Sequence, residues 1–321
     1  MINSPKVSVL IPTYNYAYCL GETIQSVLSQ SFTDFELIVI DDCSKDNTDE
    51  IMEKYIGDQR ISYYKNPVNL GLVGNWNKCL SYAKGDYIKF LCADDKFRSD
   101  LLEKFVHVME QYPNVSLVVC NKTMFGKSSV TVELPFKNLH KGIDIIYHTL
   151  NTKGWLGEPT CVMFRRSNLH LGSFKVGLIW LPDWEMWIRQ LTVGDCYIIP
   201  EPLAYVRNHE QQLTKKVMKY FTNYFEEYDL SKAIKENNGY KIDKSGIDMD
   251  QVIKSHAANC ATAMYKLIPR LHKKQERTIF LKALKIALAE RVLFTPLING
   301  ITRTQKGPVI LTIIETTPMQ S

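Results

Sequence analysis

The chain has 321 residues, of which 45% are hydrophobic, and its formal net charge is +5 at pH 7. This length suits one large domain or a domain with a sizeable appendage. The charge is mild and no arginine-rich run is interleaved with aromatic residues, so the composition excludes a typical nucleic-acid-binding groove and predicts no nucleic-acid partner.

Short β-rich runs alternate with helical patterns through the first half of the chain. This alternation predicts βαβ units and an α/β fold with a Rossmann-like, mainly parallel sheet flanked by helices. In such sheets, ligands bind outside the carboxyl ends of the strands. The predicted strands are residues 7–11, 35–40, 61–64, 87–91 and 117–120, and the predicted helices are residues 20–30, 48–55, 73–83 and 101–111.

Polar residues follow three of these strands, so we expect them to meet in one crevice. A dehydrogenase would use the same crevice, but the chain has neither the G-x-G-x-x-G turn nor the P-loop pattern. The residues at the three strand ends are Pro12, Thr13, Tyr14 and Asn15, then Asp41 and Asp42, then Asp94 and Asp95.

The adjacent carboxylates of Asp94 and Asp95 predict a metal site. Hard cations such as Mg²⁺ and Mn²⁺ are usually bound by one or two carboxylates together with substrate phosphates. An acidic pair after a strand also often caps the next helix, but Ser99 and Asp100 are better placed to begin the helix that follows.

Several short segments stand in a fixed order along the chain, namely residues 7–15, 37–44 and 69–71, Asn77, and residues 85–88 and 92–95. Their order and spacing resemble family 2 glycosyltransferases of the GT-A fold. The resemblance covers roughly residues 5–210, and many members carry an aspartate where this chain has Cys92. The thiol at that position is also explained by simple packing at the strand end, because buried free cysteine is common.

The resemblance implies a UDP-sugar or dTDP-sugar donor. Its pyrimidine base would lie near the first two strand ends, against Pro12, Thr13, Tyr14, Asp42 and Asn69. A carboxylate accepts a hydrogen bond from an imide N–H and cannot pair with adenine N1, so Asp42 favours uracil or thymine over adenine. The competing interpretation of the acidic pair is an Asx turn with Ser44 and a cap for the helix that begins near Asn47 and Thr48, and both interpretations can hold, one residue each.

The resemblance also implies Mn²⁺ or Mg²⁺ bound by Asp94, with Asp95 supporting it directly or through water. A closing strand ends in Arg207-Asn208-His209, and strand alternation puts Arg207 and His209 on one face. By the same resemblance, His209 would reach the metal or the diphosphate. Arg207 would add positive charge near the leaving group.

A sugar hydroxyl needs a base to take its proton as it attacks. Asp183 follows Pro182 at the start of a helical pattern and resembles the base of the family. An ordinary N-cap is the competing interpretation, and Glu185 ranks second as base. Residues 157–160 lie where the family tends to build its acceptor side.

Helical periodicity takes over after about residue 213, which predicts a catalytic domain over residues 1–212 and a mostly helical region over residues 213–321. Residues 269–274 and 280–286 combine basic and apolar faces, which suits either a peripheral contact with an anionic membrane or ordinary packing with a solvated basic face.

The location predicted from the sequence is the cytoplasm, and a peripheral contact at the inner face of the cell membrane stays open as an alternative. The eight cysteines form no Cys-x-x-Cys pair, which favours a reducing compartment. The N-terminus has no secretory-signal pattern. No uninterrupted apolar stretch reaches the roughly 18 residues of a membrane span.

The resemblance, together with the carboxylates named above, predicts a glycosyltransferase that transfers a sugar to a hydroxyl of a glycan or lipid-linked saccharide acceptor in bacterial surface polysaccharide assembly. An inverting reaction is what the resemblance implies. Two other classes stay open. A nucleotidyltransferase would need a glycine-rich, basic loop that residues 12–18 lack. A catalytically silent binding or scaffold protein is favoured by Cys92 alone.

Overall fold

Four parallel strands form one half of a mixed sheet in the computed structural model, which describes residues 4–127, 129–152, 156–209, 217–302 and 314–315. Their valine, leucine and isoleucine residues are buried, as expected for parallel strands covered by helices. The strands are β1 (Val7–Thr13), β2 (Phe35–Asp41), β3 (Ile61–Lys65) and β4 (Tyr87–Phe90), in the spatial order β3-β2-β1-β4.

Helices connect these strands in the predicted order, and the largest shift of a helix end is the start of the first helix at residue 17 instead of 20. Asp100 directly precedes the fourth helix, but its carboxylate bonds to Arg98, with Nε at 2.6 Å from Oδ1, and not to the helix N–H groups. The helices are α1 (Ala17–Leu28), α2 (Thr48–Glu53), α3 (Gly71–Tyr82) and α4 (Leu101–Gln111).

The other half of the sheet brings a long C-terminal strand back to the end of β4. The strands here are β5 (Lys96–Phe97), β6 (Val115–Gly126), β7 (Val130–Val132), β8 (Asn138–His140), β9 (Val162–Arg165), β10 (Asp195–Asn208) and β11 (Ile314–Glu315). β9 lies antiparallel between β4 and β6. β10 runs parallel to β6 and antiparallel to the short β5, which directly follows the predicted metal site.

The strand predicted over residues 117–120 is longer in the structure, because β6 continues to Gly126 with half-buried residues after Asn121. Two more helices pack beside this half of the sheet, α5 (Gly142–Thr152) and α6 (Pro182–Leu191). The helix predicted at Asp183 is therefore present and begins at Pro182.

The C-terminal region is helical, as predicted. It consists of α7 (Thr222–Lys235), α8 (Met249–Leu267), α9 (Lys274–Ala289) and α10 (Thr295–Thr302). A second hydrophobic cluster joins α7, α8 and α9, while Leu230 and Ile234 of α7 belong to the main core. The predicted division after residue 212 lies outside the described residues. Within the described part of the chain, every helix is too short or too polar to cross a membrane.

Candidate active site

The Asp94–Asp95 turn lies between β4 and β5, and the Asp95 carboxylate is buried within it. One carboxylate oxygen accepts a hydrogen bond from the Arg207 backbone N–H at 2.9 Å, and the other accepts one from the Thr160 hydroxyl at 2.6 Å. Burial, together with the neighbouring charge of Asp94, holds the pKa of Asp95 well above its usual range. A positive charge placed here would favour the ionised form.

The end of β10 lies against the acidic pair. His209 Nε2 lies 2.8 Å from Asp94 Oδ2. The Arg207 guanidinium donates to the Asp94 backbone oxygen from Nε at 2.9 Å and pairs with Glu22 through Nη2 at 2.9 Å. The structure therefore brings Asp94, Asp95, Arg207 and His209 together at one strand edge.

The ligand atoms of Cys92, Asp94 and Asp95 all lie within 4.8 Å of one another. Burial, together with the charges of Asp95 and Asp94, raises the pKa of the Cys92 thiol well above its usual range, so the thiol stays protonated at neutral pH. Carboxylate oxygens are the ligands that Mg²⁺ and Mn²⁺ prefer, whereas a neutral thiol is a poor ligand for them. The donor set therefore fits a hard divalent cation through Asp94 and Asp95.

Thr160 and Lys89 support this turn, and sequence reasoning did not assign either of them to it. Thr160 lies in the short helical turn Pro159–Cys161, and its hydroxyl oxygen also accepts from the Cys92 backbone N–H at 3.2 Å. The fully buried Lys89 ammonium donates to the backbone oxygens of Thr160 and of Val162, the latter at 3.1 Å. Burial lowers the pKa of Lys89 to about 8. The segment expected on the acceptor side thus also orients the acidic pair.

The loops after β1 and β2 are tied together beside an open cleft. Asp42 N–H donates to the Thr13 backbone oxygen at 2.9 Å, and Asn15 N–H donates to the Ser44 hydroxyl at 2.8 Å. The Thr13 hydroxyl is buried and has no hydrogen-bond partner among the described residues. Tyr14 is exposed at the surface. The cleft has a volume of about 810 Å³ and is lined by Asn15, Ala17, Tyr18, Asp46, Asn47, Ile51 and His209.

The carboxylates of Asp41 and Asp42 accept hydrogen bonds from different segments of the chain. Asp41 accepts from the Ser44 N–H at 3.0 Å, so the expected contact with Ser44 is present but spans three residues, one more than an Asx turn. The buried Asp42 carboxylate accepts from the backbone N–H groups of Leu70 at 2.7 Å and Gly71 at 2.9 Å, at the start of α3.

Asp42 keeps limited capacity for a ligand. Its carboxylate also accepts from the Asn66 side chain at 2.9 Å, and Asn69 donates to its backbone oxygen at 3.1 Å. A carboxylate offers about four acceptor positions, so about one remains for a nucleotide base.

Asp183 is the second residue of α6, and its Oδ1 accepts from the Trp184 N–H at 2.9 Å. Burial raises the pKa of the Asp183 carboxyl to about 7, and the negative charge of Glu158 acts in the same direction. Glu158 is paired with Lys122 at 2.6 Å. A carboxylate with a pKa near 7 is suited to general base catalysis at neutral pH.

Glu185 has a structural environment instead. Its carboxylate forms a buried ion pair with Arg189, at 2.8 Å, and accepts from the Tyr240 hydroxyl at 2.8 Å. Trp187 is fully buried in the core. These contacts favour a structural role for Glu185, the second-ranked candidate base.

The family model named glycosyl transferase family 2 matches residues 8–172, which is more than half of the chain. The chain belongs to this family. A Bacillus subtilis protein whose name assigns it to teichuronic acid biosynthesis as a glycosyltransferase, TuaG, is 42% identical over 106 residues, which are 33% of this chain and 42% of the relative. The recognition made from the sequence motifs is confirmed.

Solved structures confirm the GT-A fold. The crystal structure of Staphylococcus aureus TarS residues 1–349 in complex with UDP-GlcNAc superposes with a TM-score of 0.68 at 20% identity, covering 87% of this chain and 79% of that chain. The mannosyltransferase PcManGT from Pyrobaculum calidifontis in complex with GDP-Man and Mn²⁺ gives a TM-score of 0.56 at 17% identity, covering 92% of this chain and 88% of that chain.

The Thr160 hydroxyl generates a prediction for cation binding. Thr160→Val removes the donor to Asp95 while keeping the side-chain shape, so Asp95 should lose its orientation and ionise less readily. We expect Mn²⁺ to bind about tenfold more weakly, as for other residues that orient metal ligands, in calorimetric titration. Thr160→Ser keeps the hydroxyl and should bind Mn²⁺ like the wild type; equal Mn²⁺ affinity in all three proteins would contradict the role of this hydroxyl.

Proposed function

We propose that this glycosyltransferase is metal-dependent and inverting, and that it transfers a sugar from a UDP-sugar or dTDP-sugar to a hydroxyl of a glycan or lipid-linked saccharide in bacterial surface polysaccharide assembly. The observation that carries the proposal is the buried Asp94–Asp95 pair, held by Arg207 and His209, in a chain whose Asp183 carboxyl has a pKa of about 7. The relative named for teichuronic acid biosynthesis supports a surface polysaccharide.

The proposed reaction is one in-line displacement. Asp183 takes the proton of the acceptor hydroxyl as that oxygen forms a bond to the anomeric carbon. The bond from the anomeric carbon to the diphosphate oxygen breaks, and the diphosphate leaves with the electron pair. Attack from the face opposite the leaving group inverts the anomeric configuration.

The acidic pair would hold Mn²⁺ or Mg²⁺, with His209 bonded to Asp94 as a further ligand or as a contact to the diphosphate. Such a cation neutralises the negative charge that develops on a departing diphosphate. The Arg207 guanidinium lies directly against the Asp94 backbone and adds positive charge on the same side. Support for the cation comes from PcManGT, whose structure contains Mn²⁺.

The nucleotide would lie across the ends of β1 and β2. The buried Thr13 hydroxyl is a polar group that a bound donor can satisfy, and leaving it unpaired is costly. We propose that Pro12, Tyr14 and Asn69 border the base, and that Asp42 uses its remaining acceptor position for the imide N–H. TarS was solved with UDP-GlcNAc and PcManGT with GDP-Man, so the choice of base needs a direct test.

A reducing compartment suits the cysteines. All eight lie within the described ranges and are free thiols, and six of them are buried. We propose that the enzyme acts in the cytoplasm.

The nucleotide class and the division of roles are tested together by calorimetric titration of UDP, dTDP, GDP and ADP, each with and without Mn²⁺. We expect Mn²⁺-dependent binding of UDP or dTDP only. Asp183→Asn should bind that nucleotide within about twofold of the wild type but release nucleoside diphosphate from UDP- and dTDP-sugars at least 10²-fold more slowly, since general base catalysis contributes about 10²–10⁴-fold. Asp94→Asn should lose the Mn²⁺-dependent binding itself.

Equal loss of nucleotide affinity in both variants would contradict the separate roles proposed for Asp183 and Asp94. If no nucleotide binds the wild type, the catalytically silent protein suggested by Cys92 becomes the better interpretation.

The pKa of Asp183 predicts the pH dependence of transfer. The base must be ionised, so the rate rises with pH: with a pKa of about 7, roughly a tenth of the molecules carry the carboxylate at pH 6 and half at pH 7. We expect kcat at saturating donor and Mn²⁺ to increase about fivefold from pH 6 to pH 7 and less than twofold above it. A flat kcat between pH 5.5 and 8 would show that Asp183 is not the base.

We also propose a peripheral membrane contact through α9 and the segment after it. Leu281, Lys285 and Leu288 recur at helical spacing on one face of α9, where the two leucines are 61% and 57% exposed, and Phe294 beyond the helix is 63% exposed. Ala283, Ile286 and Ala287, on the other face, pack against α7 and α8. An exposed stripe of leucine and lysine fits an anionic bilayer.

Flotation with vesicles tests this contact. We expect binding to phosphatidylglycerol-containing vesicles, weaker binding at high salt, and loss of binding in Leu281→Ser/Leu288→Ser. Val176→Ser removes an exposed apolar residue elsewhere and serves as the control. Equal flotation with purely zwitterionic vesicles would contradict a preference for anionic lipid. No flotation with either kind of vesicle would argue for a solvated helix face.

A further inference from the structure

A carboxylate from the C-terminal helices reaches the loop that leads into α6. Glu226 of α7 accepts three backbone hydrogen bonds, from the N–H groups of Ile179 at 2.9 Å, Trp180 at 2.8 Å and Leu181 at 3.0 Å. The side chain is buried. Leu181 is the N-cap residue of α6, and Asp183 lies two residues further on.

This contact is specific in its chemistry. N–H groups that approach a helix N-terminus have no partner within the helix, and a negative charge at that end is favoured by the helix dipole. Three N–H groups converging on one carboxylate satisfy both sides, whereas a buried carboxylate without donors would be strongly destabilising. The backbone of residues 179–181 is therefore fixed by a group that lies 45 residues away along the chain from Leu181.

Besides the three hydrogen bonds to the incoming loop, one hydrogen bond joins the C-terminal region to α6 itself. The Tyr240 hydroxyl donates to Glu185, the partner of Arg189. The Arg189 guanidinium in turn donates to the backbone oxygens of Leu171 at 2.8 Å and Ser173 at 2.8 Å. The first turns of α6 are thus held by Glu226 on the incoming loop and by Tyr240 on the helix itself.

We propose that the C-terminal region completes the active site, with Glu226 as a positioning residue that, assisted by Tyr240, fixes the first turn of α6 and so the direction of the Asp183 carboxylate. The region therefore acts in catalysis as well as in packing. This inference rests on the proposed role of Asp183 as base. It adds a requirement for residues beyond those matched by the family model.

Glu226→Gln tests the proposal with a side chain of the same size. An amide oxygen accepts at most two of the three N–H groups, and the amide nitrogen faces the third as a second donor. We expect kcat for nucleoside diphosphate release from UDP- and dTDP-sugars to fall about tenfold or more, because small misplacements of a reacting group are costly. UDP affinity with Mn²⁺ should stay within about twofold of the wild type.

A titration of the Asp183 carboxyl itself distinguishes a positioning role of Glu226 from a role in the stability of the fold alone. The titration of the Asp183 carboxyl is followed by carbon-13 NMR and assigned with Asp183→Asn. We expect its midpoint to fall below the wild-type value in Glu226→Gln, because a displaced side chain becomes better hydrated. Tyr240→Phe, which removes one hydroxyl, should shift both readouts in the same direction by a smaller amount. Asp229→Asn, on the exposed side of the same helix, should change neither.

Unchanged kcat and an unchanged midpoint in Glu226→Gln, with only a lower unfolding temperature, would overturn the proposal. If Glu226→Gln does not fold, an unaffected Tyr240→Phe protein overturns it in the same way. Failure of the base assignment itself is recognised separately, because Asp183→Asn would then retain full activity.

Discussion

The constraint on which the rest of this site depends is the burial of the Asp95 carboxylate. A buried carboxylate is tolerated only where donors surround it, and here the donors come from two distant segments, the Thr160 hydroxyl and the Arg207 backbone. These two hydrogen bonds hold the turn before β9 and the end of β10 against the residues that follow β4. The same contacts place His209 against Asp94 and bring Cys92 beside the pair.

The order of the strands brings the donors to Asp95. β10 pairs with β6 along most of its length, and Ala204 and Tyr205 also pair with β5, so the last residues of β10 lie where the chain has just left β4. Lys89 supports the same turn, because its ammonium group donates hydrogen bonds to the backbone on which Thr160 lies. A charged residue in the sheet interior and a polar turn at its edge therefore form one supporting structure.

Much of this could be predicted from the sequence, because apolar periodicity and strand-end polarity are local signals. They located the parallel strands, the helices between them and the acidic pair at a strand end, whereas the placement of Arg207 and His209 near that pair came only from the resemblance to the family. The roles of Thr160, Lys89 and Glu226 were not predictable, because each depends on a partner 45 to 71 residues away in the chain and each looks ordinary in its own segment. Asn77 shows the converse: a motif residue whose side chain bonds the Phe174 backbone, at 2.8 and 2.9 Å, and so has a structural role.

The three N–H groups that meet Glu226 also bear on how such enzymes diversify. If the helices after the sheet were exchanged for those of another family member, the exchanged piece would have to bring a carboxylate to the same place, or the loop of residues 179–181 would have to be exchanged with it. A chimera that keeps this contact would therefore have to be joined ahead of residue 179. If Asp183 is the base proposed above, chimeras joined closer to the C-terminus would carry a misplaced base.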